Sequence, residues 1–242
     1  MNYIQLAAFF ILAIFLSASW SKVLFCKRTR FENTLTIYLV TVSRLSEREA
    51  HALLKSFAYY CYGIIASLIL LYCFDIDVIS MFTIDKKIVT MILLGTMAEL
   101  STIRLFTSLY AITHSNVDIS NEIREVSWIE GISKLPHKFI PFAPIGGAFV
   151  EEFFFRGTLL MIFIQKMSIP PYISLLVITA LFTYEQLLFL KTSVQKIIIG
   201  SASVGISLMG GLLILYTGSL LPAMIAHASF VMFYFGEMSI LD

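Results

Sequence analysis

The sequence predicts an all-α fold, a polytopic transmembrane helical bundle of about seven spans. Three observations carry that reading. Of the 242 residues 58% are hydrophobic and 14% charged, with a mean hydropathy of +0.86, far from the balance of an ordinary soluble domain. The apolar residues gather in runs that can cross a bilayer, which takes about 20 residues at about 1.5 Å rise each. Lys and Arg are shared unevenly between the connecting segments, as the positive-inside bias requires. No repeat, low-complexity tract or barrel-type alternation competes with helices, and a net charge of +1 without a basic block argues against nucleic acid as a partner.

The first span runs from Tyr3 to Cys26. No basic region precedes it and Lys27, Arg28 and Arg30 follow, which fits a stop-transfer pattern better than a cleaved signal peptide. Residues 27–55 mix Arg44, Arg48 and Lys55 with apolar side chains and read as cytoplasmic, partly an amphipathic surface helix. The second span, Ser56 to Phe74, ends at Asp75 and Asp77, and the third, Ile88 to Thr113, follows Lys86 and Lys87. The third contains Glu99 and Arg104, five residues apart and poorly placed to pair, so each is expected to bond to a neighbouring helix.

Residues 114–140 form the longest polar stretch and the natural internal boundary, dividing N-terminal helices and cytoplasmic loops (1–140) from a C-terminal core (141–242). His114 and His137 read as solvated loop histidines. Pro141, Pro144, Gly146 and Gly147 predict a bent or loosely wound start to the fourth span, Pro141 to Gln165. The fifth span covers Pro171 to Leu190. The sixth, Ile197 to Tyr216, has Ser203, Ser207 and Gly211 at the spacing that lets helices approach closely. A turn at Thr217-Gly218-Ser219 and Pro222 open the seventh, which ends near Phe235. The inside loops then hold most of the Lys and Arg, and the N-terminus lies outside. Cys26, Cys61 and Cys73, odd in number and widely spaced, form neither a disulfide framework nor a metal clip and read as packing residues.

The chemistry gathers in the last four spans, where Glu151, Glu152, Arg156, Glu185, Gln186 and His227 interrupt apolar sequence. Each charge near a bilayer midplane costs roughly 2.5 to 3.5 kcal/mol on insertion scales, so such residues usually have a function. On an α-helix Glu152 and Arg156 lie one turn apart and can pair, while Glu151 is rotated by about 100°. A buried carboxylate with nearby donors could activate water for amide hydrolysis, and a polar knot that only fixes helix register is the alternative.

Glu151-Glu-Phe-Phe-Phe-Arg-Gly157 resembles the EExxxRG signature of the CAAX-protease and bacteriocin-processing (CPBP, or Abi) family of intramembrane proteases. Phe182 to Gln186 occupies the place of that family's FxxxH motif, and Thr217 to His227 is similar to its third motif, so the resemblance covers about residues 141–235. It implies Glu151 as the general base, His227 as an oxyanion donor and the Glu152–Arg156 pair as the support that positions Glu151. Gln186 stands where the family has a histidine, and Val231 where it has an asparagine one turn after the third-motif histidine. Glutamine can hold a water but cannot take a proton near neutral pH, and valine offers no donor. The resemblance therefore implies an intramembrane endopeptidase acting on a membrane-associated or lipidated protein or peptide. The alternative it allows is a catalytically impaired membrane regulator or bacteriocin-immunity partner. The Abi-like pattern points to a bacterial plasma membrane. No cofactor is expected and a metal is not favoured, although relatives are often labelled metalloproteases: His227 is the single histidine of the site, no HExxH occurs, and zinc would need Glu151, Glu185 and His227 together.

Overall fold

The computed structural model describes residues 3–25 and 27–240; Cys26, the end of the first expected span, lies outside the described residues. All regular structure among them is helical: α1 (Tyr3–Phe25), α2 (Arg30–Ser43), α3 (Glu47–Cys73), a 3-10 turn (Ile79–Phe82), α4 (Lys86–Thr113), α5 (Ile119–Arg124), α6 (Ser127–Ser133), α7 (Phe142–Glu152), α8 (Pro171–Leu187), α9 (Ser193–Thr217) and α10 (Leu221–Ile240). From α7 the chain continues without a break as π-helix, Phe153–Leu160 and Ile162–Lys166.

Local sequence explains where the helices begin. Thr29 with Glu32, Ser46 with Glu49 and Thr192 with Gln195 form reciprocal capping boxes at the starts of α2, α3 and α9. The Ser46 box starts α3 at Glu47, nine residues ahead of the apolar run that marked the second span, so two and a half polar turns precede the membrane-compatible part. Asp85 caps α4 through Ile88 N at 2.8 Å. Gly218, at φ +71°, ends α9 in the left-handed conformation, and the turn that follows is tied to the 3-10 segment by Leu220 N donating to Met81 O at 2.8 Å. The amphipathic helix expected within 27–55 is α2. It docks on α3 through the Lys55–Glu32 ion pair (2.8 Å), and although burial alone would raise the Glu32 pKa, the bonds from Lys55 and Thr29 hold it below the usual range.

Among the described residues four helices, α1, α3, α4 and α9, are long and apolar enough, by length and composition, to cross a membrane. Their outward faces expose Ile11, Phe15, Ile69, Leu93, Leu94 and Leu109, a surface suited to lipid rather than water. The fourth, fifth and seventh expected spans are also helical where the sequence puts them. The fourth is the composite Phe142–Lys166, the fifth is the 17-residue α8, and the seventh lies in α10.

The start of the fourth span differs from expectation. α7 is regular from Phe142 to Glu152, and the loosened winding comes after the glutamate pair, in the π-helix. Pro141 and Pro144 sit at the cap and in the first turn, where backbone N–H groups need no intrahelical partner, so they do not disturb the helix. The π segment carries the densest packing: Phe154, Phe155, Leu159, Leu160, Ile162 and Phe163 are each 0% exposed. Trp20 of α1 packs edge-on to Phe154 (5.0 Å) and stacks on Tyr59 of α3 (4.8 Å), joining three elements around the glutamates.

α8 packs most extensively on α9, and α10 on α4 and α7. Ser203, Ser207 and Gly211 are all buried, as their spacing implies. Cys61 is half-buried and Cys73 exposed, so Cys73 packs against little.

Candidate active site

Glu151 and Glu152 end α7 and turn to different partners. Glu152 is wholly buried. Its Oε1 lies 3.0 Å from His227 Nδ1 of α10 and 3.1 Å from an Arg156 terminal nitrogen, the latter an ion pair without hydrogen-bond alignment. The Arg156 guanidinium lies 4.3 Å from the centre of the Phe182 ring on α8, a cation–π contact, and the same ring meets His227 edge-on at 6.2 Å. Glu152 Oε2 has no hydrogen-bond partner and faces Gly210 of α9, where an added Cβ would stand 3.0 Å away.

Glu151 faces a cavity of ≈ 1600 Å³ that is also lined by Tyr59, Glu185, Gln186, His227 and Val231. The Tyr59 hydroxyl donates to Glu151 Oε1 at 2.7 Å, and His227 Nε2 lies 4.0 Å from Glu151 Oε2. The imidazole therefore stands between the two glutamates, with Nδ1 toward the buried one and Nε2 toward the one that meets the cavity. The side chain of Glu151 keeps 14% exposure against 0% for Glu152, which separates a group that can reach a substrate from one that cannot. Away from the glutamates the cavity wall carries Arg28, Arg48, His51, Lys55, Arg104 and Lys134.

The structure thus brings Glu151, Glu152, Arg156 and His227 together from two separate helical segments. Gln186 lines the same cavity, but its Nε2 donates to Glu185 Oε2 at 2.8 Å. Glu185 lines the cavity as well, so the two side chains, about 100° apart on an ideal helix, both reach its wall and bond to one another. Val231 lines the cavity one turn beyond His227 and supplies no donor.

Two residues of the first 140 belong to this arrangement and carried no motif. Tyr59 bonds Glu151 directly, and Trp20 fixes Tyr59 by stacking and by donating Nε1–H to its carbonyl at 2.9 Å. The adjacent Tyr59 and Tyr60 inside an apolar run were the available signal. Glu99, expected to bond to a neighbouring helix, is 1% exposed and neither carboxylate oxygen has a hydrogen-bond partner; it sits within electrostatic range of Glu152 and Arg156. His114 and His137 are exposed, and His114 stacks on Tyr110.

Among the described residues no group of three or more His, Cys, Asp or Glu side chains is placed to hold a metal ion. The contacts give the reason: His227 Nδ1 and Arg156 both address Glu152 Oε1, and a guanidinium 3.1 Å from that oxygen opposes a second cation there.

Fold and site together define an integral membrane protein built around a buried acid–base cluster. Residues 134–233 match the family model described as Type II CAAX prenyl endopeptidase Rce1-like, a similarity to the CAAX-protease family over that part of the chain. No match was found among curated proteins or solved structures.

Proposed function

We propose that the protein is an intramembrane endopeptidase in which Glu151 activates a water to hydrolyse a peptide bond of a membrane-associated or lipidated protein or peptide. The observation that carries this is the division of labour between the glutamates: Glu152 is held by Arg156 and His227 in the core, and Glu151 meets the cavity. Glu151 takes a proton as the water oxygen attacks the carbonyl carbon. His227, with Nδ1 3.0 Å from Glu152 Oε1, presents Nε2 beside Glu151, where an N–H on that nitrogen would donate to the oxygen on which negative charge develops. Removing one such donor typically lowers rates by about a hundred- to a thousandfold, so valine at 231 implies a slow enzyme. The reaction proceeds without a metal.

The protein acts in a bacterial plasma membrane with about seven spans and its N-terminus outside, a reading supported by the Lys and Arg distribution and the motif pattern. Of the basic residues along the cavity wall, Arg28, Arg48, His51, Lys55 and Lys134 lie on segments assigned inside by the same rule, so substrate arrives from that side.

Purified protein in detergent should cleave a membrane-tethered peptide into two fragments detectable by mass spectrometry, and Glu151→Gln should abolish both. Cleavage that survives this substitution defeats the mechanism. Gln186 and Val231 favour a second reading, a non-catalytic membrane regulator or bacteriocin-immunity partner. In that case the wild type yields no fragments, and Glu151→Gln leaves the cellular phenotype intact.

A further inference from the structure

We infer that Tyr59 is a positioning residue of the reaction: by holding Oε1 of Glu151 it leaves Oε2 as the base and directs that oxygen to the place where His227 Nε2 meets the substrate. This rests on the hydrolytic reading of the site and names the oxygen that takes the proton.

A carboxylate has two equivalent oxygens and a terminal torsion with broad, roughly two-fold preferences, so a glutamate at the edge of a cavity does not by itself present one oxygen in one direction. A base needs that direction, because the proton moves across a hydrogen bond of about 2.6 to 3.2 Å to the attacking water. A donor fixed on one oxygen removes the ambiguity. The Tyr59 hydroxyl donates to Glu151 Oε1 at 2.7 Å, the upper end of the short range typical of a hydroxyl on a carboxylate. Oε2 then lies 4.0 Å from His227 Nε2, too far for a direct hydrogen bond and wide enough for a reacting oxygen beside both. Base and oxyanion donor are aimed at one place in the cavity.

The hydroxyl is itself held in place. Tyr59 is 7% exposed and stacks on Trp20 at 4.8 Å, and Trp20 Nε1–H donates to the Tyr59 carbonyl at 2.9 Å, so one fully buried residue of α1 fixes both ring and backbone. One turn further along α3, Gly63 permits close approach to α7: a Cβ there would collide with Val150 Cγ1 and stand 2.6 Å from Trp20 Cζ2. The residue next to Glu151 therefore packs directly on the α3 backbone. Tyr60 donates to Ala143 O at 2.7 Å, near the start of α7, so α3 grips α7 near both ends and the contact at the far end orients the base. Trp20, Tyr59, Tyr60 and Gly63 all lie outside residues 134–233. The part of the chain that carries the motifs thus takes the orientation of its base from the part that carries none.

The step balances with one proton on one oxygen. As the water oxygen bonds to the carbonyl carbon, a water proton passes to Glu151 Oε2, and the carbonyl π pair moves to oxygen beside His227 Nε2. When that pair returns, the C–N bond breaks, and the nitrogen takes the proton from Oε2. A carboxylic acid and an amine leave, Glu151 is again a carboxylate, and Tyr59 keeps its own proton throughout.

The test separates the donor from the ring, with a membrane-tethered peptide as substrate. In Tyr59→Phe kcat should fall about tenfold or more while KM stays within about twofold of wild type. Replacing Tyr59 by para-aminophenylalanine, whose N–H donor stands where the hydroxyl was, should bring kcat back to within about threefold of wild type. Both variants keep the ring on Trp20, so the unfolding midpoint in detergent should stay at the wild-type value. A wild-type kcat in Tyr59→Phe overturns the inference, and so does an aminophenylalanine variant no faster than Tyr59→Phe. A midpoint that falls in step with kcat, or a loss confined to KM, marks a structural or a binding role and overturns it as well. A wild type inert toward the peptide, or cleavage retained by Glu151→Gln, defeats the proposed function itself. An active wild type with an inactive Glu151→Gln and an unaffected Tyr59→Phe defeats only the role of Tyr59.

Discussion

Gly210 offers a way to disturb the buried half of the site without touching a polar group. A Cβ at this position would stand 3.0 Å from Glu152 Oε2 and 3.5 Å from the Ala223 Cβ. Glu152 has nowhere easy to go, since Arg156 at 3.1 Å and His227 at 3.0 Å hold its other oxygen and it is 0% exposed. In Gly210→Ala the helix itself gains about 1 kcal/mol in propensity, and overpacking opposes that by about 1 to 3 kcal/mol. The two effects nearly offset, so the thermal midpoint should move little. The site should not escape. Displacing Glu152 by a few tenths of an ångström weakens a charge-assisted bond to His227 worth about 1.5 to 3 kcal/mol, and at about 1.4 kcal/mol per factor of ten that is roughly a ten- to hundredfold loss in kcat. Gly205→Ala on the same helix is the control, because its Cβ would meet only Ile103 Cγ1 at an ordinary 3.7 Å. It should keep full activity and gain stability. The assay is peptide cleavage beside thermal unfolding in detergent for both variants. Wild-type cleavage by Gly210→Ala, or equal losses in the two, refutes the reasoning.

Three further outcomes are expected. Tyr59→Phe keeps the ring stacked on Trp20 and removes only the donor to Glu151, so stability should hold while kcat falls about tenfold or more, measured by the same cleavage assay. Arg156→Met leaves Glu152 buried with only His227, and removing one partner of a buried pair typically costs about 3 to 5 kcal/mol, visible as a large drop in the unfolding midpoint and in yield. Treatment with EDTA followed by dialysis should leave the cleavage rate unchanged, since Glu152 already serves a guanidinium and an imidazole; loss of activity restored by added zinc contradicts this.

Sequence and structure agree most closely where spacing alone fixes geometry. Four residues separate Glu152 from Arg156, one helical turn, and the pair forms even though the winding changes to π directly after Glu152. The apolar runs locate the long helices for the same reason, with the starts of α3 and α9 set by capping boxes that lie outside the runs. The contribution of Tyr59 was not legible, because it depends on the register of α3 against α7, 92 residues away in sequence. The π-helix has no composition of its own, and the prolines that suggested loosening sit where a helix tolerates them.

The central claim, direct attack by a Glu151-activated water, can be measured in a single turnover in ¹⁸O-labelled water with enzyme in excess over a membrane-tethered peptide. Direct attack predicts one ¹⁸O atom in the new C-terminal carboxylate of the first product formed, and no product from Glu151→Gln. A first-turnover product without the label, its oxygen drawn instead from the Glu151 carboxylate through a covalent intermediate, or no product from the wild type at all, would contradict it.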